Sequence, residues 1–476
     1  MSSGSLPPIE SVTGGSHGVE AGYEQMLGLA ARYEQHAGDL VEMAGLGVRV
    51  VADGDLLESA VLSPLSFADA EVQVLGATAG TDGLAVRAVG IEADALGVRA
   101  VVAAFRASDA LSRHVGEAID HTLGRVVLTG TVTALPALLV AGGVGHACWS
   151  SLTPKEQQAL EQRLTDGLGA LLHEHPGLAQ HLLNSGGGLV GSLVPGLGLL
   201  DPGDGPVGQP TTNDAARLMA LLLGDDTDYS VARVTDVEGG AREVLPESLR
   251  ALVEQLAATN DLDAGPHTEA LHGAIQVQQV GEERYVVYLP GTDDMRPVPS
   301  GGLVRDMETN YQLIGGTDSA YGRGIRAAML HAGLDGKAVT LVGHSQGGMV
   351  ATSLAADPDF TRHFDVEHVV TAGSPTAQVA QLPDGTHALH LENRGDAVPL
   401  LDGEDNPDQP HRTTVLFDDG THRIVDNHDL DRYAAGAAAA EASGHGSIRD
   451  QVARMHYDGY LGSGPSGPVS TYVITR

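Results

Sequence analysis

Ala338-Val339-Thr340-Leu341-Val342-Gly343-His344-Ser345-Gln346-Gly347-Gly348-Met349-Val350-Ala351 joins a β-branched apolar run to a series of small residues suited to a helix start. The first five residues read as a buried strand. Gly343-His344-Ser345-Gln346-Gly347 then fits Gly-x-Ser-x-Gly, the nucleophile-elbow pattern, in which a sharp strand-to-helix turn lifts a serine hydroxyl above a sheet. Glycines two before and two after the serine remove Cβ atoms that would collide where strand and helix cross. The helix N-terminus offers free N–H groups and partial positive charge to a developing oxyanion. Ser345 is therefore the candidate nucleophile. The same pattern recurs at Gly14-Gly15-Ser16-His17-Gly18, but no strand precedes it there and it is set aside.

Around the elbow, from about Tyr229, short β-branched runs alternate with helical stretches. Ala274 to Val280 and Arg284 to Leu289 read as a hairpin closed by Gly281 and Glu282. Ala338 to Val342, His368 to Thr371, Thr386 to Leu391 and Thr413 to Phe417 are further strands. Ser248 to Thr259, Tyr321 to Ala332 and Gln346 to Ala356 are helical. That alternation predicts an α/β fold over residues 229–476, a mostly parallel sheet covered by helices on both faces.

A serine hydroxyl needs a base to take its proton, and in this fold an acid and then a histidine follow the serine in the chain. Asp396, in Glu392-Asn393-Arg394-Gly395-Asp396-Ala397-Val398-Pro399, lies just past a predicted strand, at the end where such sheets place functional groups. Asp384 and Asp402 are its rivals, each in a turn-like Asp-Gly pair. Five histidines follow Asp396: His411, His422, His428, His445 and His456. His428 is preferred because its loop leads into the alanine-rich helix Tyr433 to Ala442, where an imidazole can swing over the sheet edge. Two backbone amides would hold the oxyanion, those of Gln346 and of Thr292 in the turn Pro290-Gly291-Thr292-Asp293. Asp293 to Gly302 is a candidate lid or acyl-chain wall. No metal-ligand spacing and no phosphate-binding loop stands out, so neither metal nor cofactor is expected.

Taken together, the strand ending in Gly291-Thr292, Gly343-His344-Ser345-Gln346-Gly347-Gly348, Asp396-Ala397-Val398-Pro399, and His428 with Tyr433 resemble the class 3 (fungal-type) lipases of the α/β-hydrolase fold. The resemblance covers about half the chain and implies a Ser345–Asp396–His428 triad hydrolysing esters, lipid esters above all. Two departures bear on the lipid substrate. Pro290 stands where that family usually has arginine, and Gln346 where it commonly has leucine.

Before this domain the chain reads differently. Met1 to Gly18 is polar, with no basic start and apolar run, so a disordered tail is expected rather than a signal peptide. Residues 19–125 form an expected helical hairpin. Leu84, Ala88, Ile91, Ala95, Val98, Val102 and Phe105 alternate steps of four and three, and the turn falls near Pro64. A hairpin at the start of an acidic chain resembles the targeting modules of type VII secretion substrates, with Phe105 and Asp109 echoing their aromatic-x-x-x-acid motif. The Trp-x-Gly turn of that family is absent. The resemblance implies secretion machinery as a partner for residues 19–125, and a toxin-like effector with phospholipase activity as an alternative function. A catalytically inactive scaffold for partner binding is a further alternative. Residues 126–228 form an apolar, Gly-rich connection. Val126 to Trp149 and His181 to Leu200 carry no formal charge, but Pro136 and the many glycines favour buried helices over membrane spans.

Composition narrows the field. Of 476 residues, 62 are acidic and 27 basic, a formal charge of −35 that repels nucleic-acid phosphates and anionic surfaces. Cys148 is the sole cysteine, which excludes an internal disulfide. The location expected is the cytoplasm, or outside the cell by a route that reads no signal peptide.

Overall fold

A computed structural model describes residues 6–80, 83–107, 109, 212–223, 229–264, 268–296, 302–421 and 424–476. Two compact units divide the chain, Val19–Arg113 in one and the remainder in the other.

The larger unit is built on a nine-stranded sheet: β1 (Ile9–Gly14), β2 (Ser230–Val234), β3 (Ala274–Gln279), β4 (Arg284–Leu289), β5 (Ala338–His344), β6 (Asp365–Ala372), β7 (His387–Asn393), β8 (Arg412–Phe417) and β9 (Val469–Thr475). Their spatial order is β1-β8-β7-β6-β5-β4-β3-β9-β2. Strands β4 to β8 are mutually parallel, and β3, β9, β2 and β1 add antiparallel margins. The central strands are buried on both faces, which is why they read as near-continuous apolar runs. One face packs Ile275, Val287, Leu289 and Leu341 on helices Ala320–His331 and Gln346–Ala356. The other packs Val286, Tyr288, Val342, Leu389 and Leu391 on helices Leu249–Asn260 and Leu430–Ala442. The fold is a mostly parallel α/β sheet with helices, as expected.

The tail expectation is corrected. Ile9 to Gly14 form the edge strand beside β8, and Glu10 pairs with Arg394. Ser16 Oγ donates to Asp450 at 2.7 Å, and His17 and Ser447 share a bond of 3.1 Å. Gly14 and Gly15 take positive φ, 67° and 75°, to turn the chain out of the sheet. The sequence hides this strand because its partner is more than 390 residues away and its polar face reads as tail.

Considered by itself, the smaller unit is helical: Val19–Val51, Gly54–Leu62, Pro64–Ala79 and residues 84–107. Ala30, Ala37, Ala88, Ala95 and Val102 are buried at heptad spacing. Arg99 pairs with Glu34 at 2.8 Å and Phe105 stacks on Tyr23, so residues 84–107 run antiparallel to the first helix. Pro64 follows the Gly54–Leu62 helix after a one-residue break at Ser63. It opens the Pro64–Ala79 helix, where its missing N–H costs nothing, and this helix packs Thr78 onto Gly47. Val126 to Trp149, His181 to Leu200 and His422 lie outside the described residues. No helix among the described residues is long and apolar enough to cross a membrane.

Candidate active site

Strand β5 runs directly into Ser345, which caps the Gln346–Ala356 helix with φ 52° and ψ −122°. Only one other described non-glycine residue, Asp236, has positive φ. This strain is what a nucleophile elbow stores. A Cβ on Gly343 would sit 2.3 Å from the Gly347 carbonyl oxygen, and one on Gly347 would sit 1.9 Å from that of Leu289. The two glycines are therefore obligatory for strand and helix to cross so closely. Ser345 is half-buried, and its N–H donates to the Ala372 carbonyl at 3.0 Å.

Three residues beyond β7, Asp396 is 3% exposed. Its Oδ2 lies 2.7 Å from His428 Nδ1 and accepts from the Tyr433 hydroxyl at 2.6 Å, while Oδ1 accepts from Val398 N at 2.9 Å. Burial, and then the Asp396 charge, push the Tyr433 phenol well above its ordinary range, so Tyr433 stays a donor. His428 keeps 24% of its side chain exposed, and its ring stacks at 4.5 Å on that of His344, the residue before Ser345. His344 Nε2 donates to the His428 carbonyl at 3.1 Å. Burial, and then the neighbouring His428, hold the His344 imidazole well below its usual pKa, so it stays neutral. The structure thus brings Asp396 and His428 together and sets both beside the elbow.

Thr292 follows β4, the strand next to β5. A Cβ on Gly291 would lie 3.1 Å from Ser345 Cβ, which places this turn against the candidate nucleophile. The fully buried Gln346 side chain donates to the Asp306 carbonyl (2.7 Å) and to Asn310 Oδ1 (2.8 Å). Asn310 in turn donates to Thr292 Oγ1 at 3.1 Å. Gln346 in place of leucine therefore ties the elbow to the Met307–Ile314 helix, and through Asn310 to the Gly291-Thr292 turn.

Of the region offered as a lid, residues 297–301 lie outside the described residues, and its first residues are tied to Arg305. Asp293 N and Asp294 N donate to the Arg305 carbonyl, and the buried Arg305 guanidinium pairs with Asp293 and Asp263 at 2.7 and 2.6 Å. Asp263, His272 and Asp293 come within 4.8 Å of one another, a spacing a cation can use, but Arg305 already supplies the positive charge. Burial raises the Asp293 carboxyl to about 6 against the opposing pull of Arg305. Arg305→Met should destabilise the protein by about 3–5 kcal/mol, because it strands two buried carboxylates. Urea denaturation checks this.

The rival residues among those described lie elsewhere. Asp384 sits on an exposed turn, and buried Asp402 accepts from Ala377 N at 2.6 Å. His411 and His456 face the Leu382 and Leu461 carbonyls, and His445 precedes the Gly446–Tyr457 helix. Asp402 carries a consequence of its own. Burial raises its pKa from 3.8 to about 7, so the folded state keeps a proton that the unfolded chain has released. Its contribution is full below about pH 4 and is lost as pH rises towards 7, up to roughly 4 kcal/mol. Thermal melts should therefore show Tm falling across that window in the wild type, and the fall should flatten in Asp402→Asn.

Residues 323–423 match the PGAP1-like alpha/beta domain. This is an α/β-hydrolase-type family, and the matched segment spans the elbow and Asp396. No curated protein and no solved structure matches the chain. Sequence reasoning passed over Asn310, His344, Asn393, Asn427 and Arg305. Asn427 adjoins His428 and His344 adjoins Ser345, but nothing in an isolated Asn or His shows which carbonyl it will reach.

Proposed function

We propose that the chain is a serine hydrolase cleaving carboxylic esters, with lipid esters as the substrate class, through Ser345, His428 and Asp396. What carries the reading is the Asp396–His428 pair, 2.7 Å apart, packed against the residue before a strained serine. Ser345 Oγ bonds to the ester carbonyl carbon as its proton passes to His428 Nε2, and the carbonyl π pair moves onto oxygen. The Gln346 and Thr292 amides hold that oxyanion. Asp396 keeps Nδ1 protonated and stabilises the imidazolium. As the tetrahedral centre collapses, the alcohol leaves with the proton from Nε2. Water then repeats the sequence and frees the acid.

Class 3 lipase-like residues around Ser345, Asp396 and His428 support lipid esters over small soluble ones. Chain-length profiling with nitrophenyl esters and with micellar lipid tests this. Turnover rising with acyl length is expected, and activity confined to acetyl esters would remove the lipid assignment.

One observation favours a second reading, a type VII-exported effector in which the helical unit addresses the secretion machinery. Phe105 stacks on Tyr23, whose hydroxyl donates to Asp109 at 3.2 Å, so both residues of the aromatic-x-x-x-acid motif share one partner. Loss of the protein from culture medium on changing Phe105 and Asp109 to alanine supports export, and unchanged secretion removes it.

A further inference from the structure

We propose that Asn393 and Asn427 are positioning residues that clasp the acid-bearing and base-bearing loops together, an inference resting on the ester-hydrolase reading above. Asn393 ends β7 and Asn427 immediately precedes His428. Asn393 Nδ2 donates to the Asn427 carbonyl at 3.1 Å. In return, Asn427 Nδ2 donates at 2.8 Å to the carbonyl of Gly395, the residue before Asp396, and at 3.1 Å to that of Thr421. Each amide thus grips the peptide beside the other loop's reactive residue. The same turn is tightened by Asp396 N donating to the Asn393 carbonyl (2.9 Å) and Asn393 N donating to the Tyr433 hydroxyl (3.3 Å).

Two features separate the clasp from ordinary loop packing. Asn393 and Asn427 are 2% and 0% exposed, yet the Oδ1 of each is buried with no hydrogen-bond partner. A buried acceptor left unsatisfied costs about 1–3 kcal/mol, and each side chain bears that cost while its Nδ2 holds a carbonyl of the opposite loop. Moreover, a Cβ on Gly395 would lie 2.0 Å from Asn427 Nδ2, so the turn is shaped around this one amide. The separation of Asp396 and His428 is set by these bonds, and a displacement near 1 Å costs catalysis about 10²-fold.

The test is a double-mutant cycle on the full chain, with kcat and KM measured per folded protein well below each variant's Tm. Asn427→Ala and Asn393→Ala should each lower kcat by about 10²-fold with KM within about twofold. In an Asp396→Asn background the same changes should cost less than about twofold, because the geometry they serve is already lost. Asn427→Asp, which keeps the shape but loses the donor, should follow the alanine variant. Wild-type kcat in both alanine variants, or an undiminished loss in the Asp396→Asn background, overturns the clasp. Should the wild type show no Ser345-dependent turnover, the hydrolase reading fails instead. Proton NMR then judges the clasp alone: the downfield His428 Nδ1 proton of the wild type must broaden away in Asn427→Ala, and its persistence contradicts the proposal.

Discussion

Ser345→Ala is expected to lower kcat by about 10⁶-fold while leaving Tm within a few degrees, as removal of the nucleophile does in serine hydrolases built on the same logic. The size of the effect follows from the chemistry. Without Oγ no acyl-enzyme forms, and water must attack the ester unaided by covalent catalysis. What remains is the stabilisation given by the oxyanion donors and by substrate binding, worth 10³–10⁴-fold over solution. Stability should change little for a physical reason. Ser345 makes its structural bonds through the backbone, N–H to Ala372 O and carbonyl to Gly348 N and Met349 N. Alanine does carry a Cβ into positive φ, as serine already does, so the strain is common to both. Steady-state kinetics and calorimetry on the same preparation check both halves.

Asp396→Asn should lower kcat by about 10⁴-fold, the penalty for presenting the imidazole in the wrong tautomer. In the wild type the carboxylate accepts on Oδ2 from His428 Nδ1 and from Tyr433, and on Oδ1 from Val398 N. All three partners donate, so a group that only accepts fits and an amide does not. Asparagine must turn its NH2 towards at least one donor. If it takes the Oδ1 position, the Val398 N–H loses its partner; if it takes the Oδ2 position, it faces both Tyr433 and His428, and the ring must carry its proton on Nε2, where the serine proton has to go. KM should move little, since Asp396 is buried behind the imidazole. Turnover within tenfold of wild type would show that another residue holds the base.

Much of this site is legible in the sequence, because its parts are local. The elbow needs a strand, two glycines and a helix start within ten residues, and every one of those signals is contiguous around Ser345. The position of Asp396 is legible just past an apolar run, and the β3–β4 hairpin in two runs separated by Gly281 and its neighbours. What escaped notice depends on partners distant in the chain. Strand β1 pairs with β8 and offers a polar stretch that a local reading takes for a tail. Strand β9 ends the described chain yet lies between β3 and β2. The bonds that tune the site run from Asn310 to Thr292, from Gln346 to Asp306 and from Asn427 to Gly395. They join side chains to backbone across loops, and residue type alone does not announce such a bond. Helical periodicity near Ala88, Ala95 and Val102 was readable for the same reason as the elbow, since a seam repeats within one helix.

One measurement bears most directly on the account. Wild-type protein treated with a fluorophosphonate should gain a single phosphonyl group, which peptide mapping by mass spectrometry should place on Ser345, with no adduct in Ser345→Ala and far slower labelling in His428→Ala. A folded wild-type protein that takes up no label, or one labelled at another residue while Ser345 stays unmodified, would contradict the claim that Ser345 is a nucleophile activated by His428.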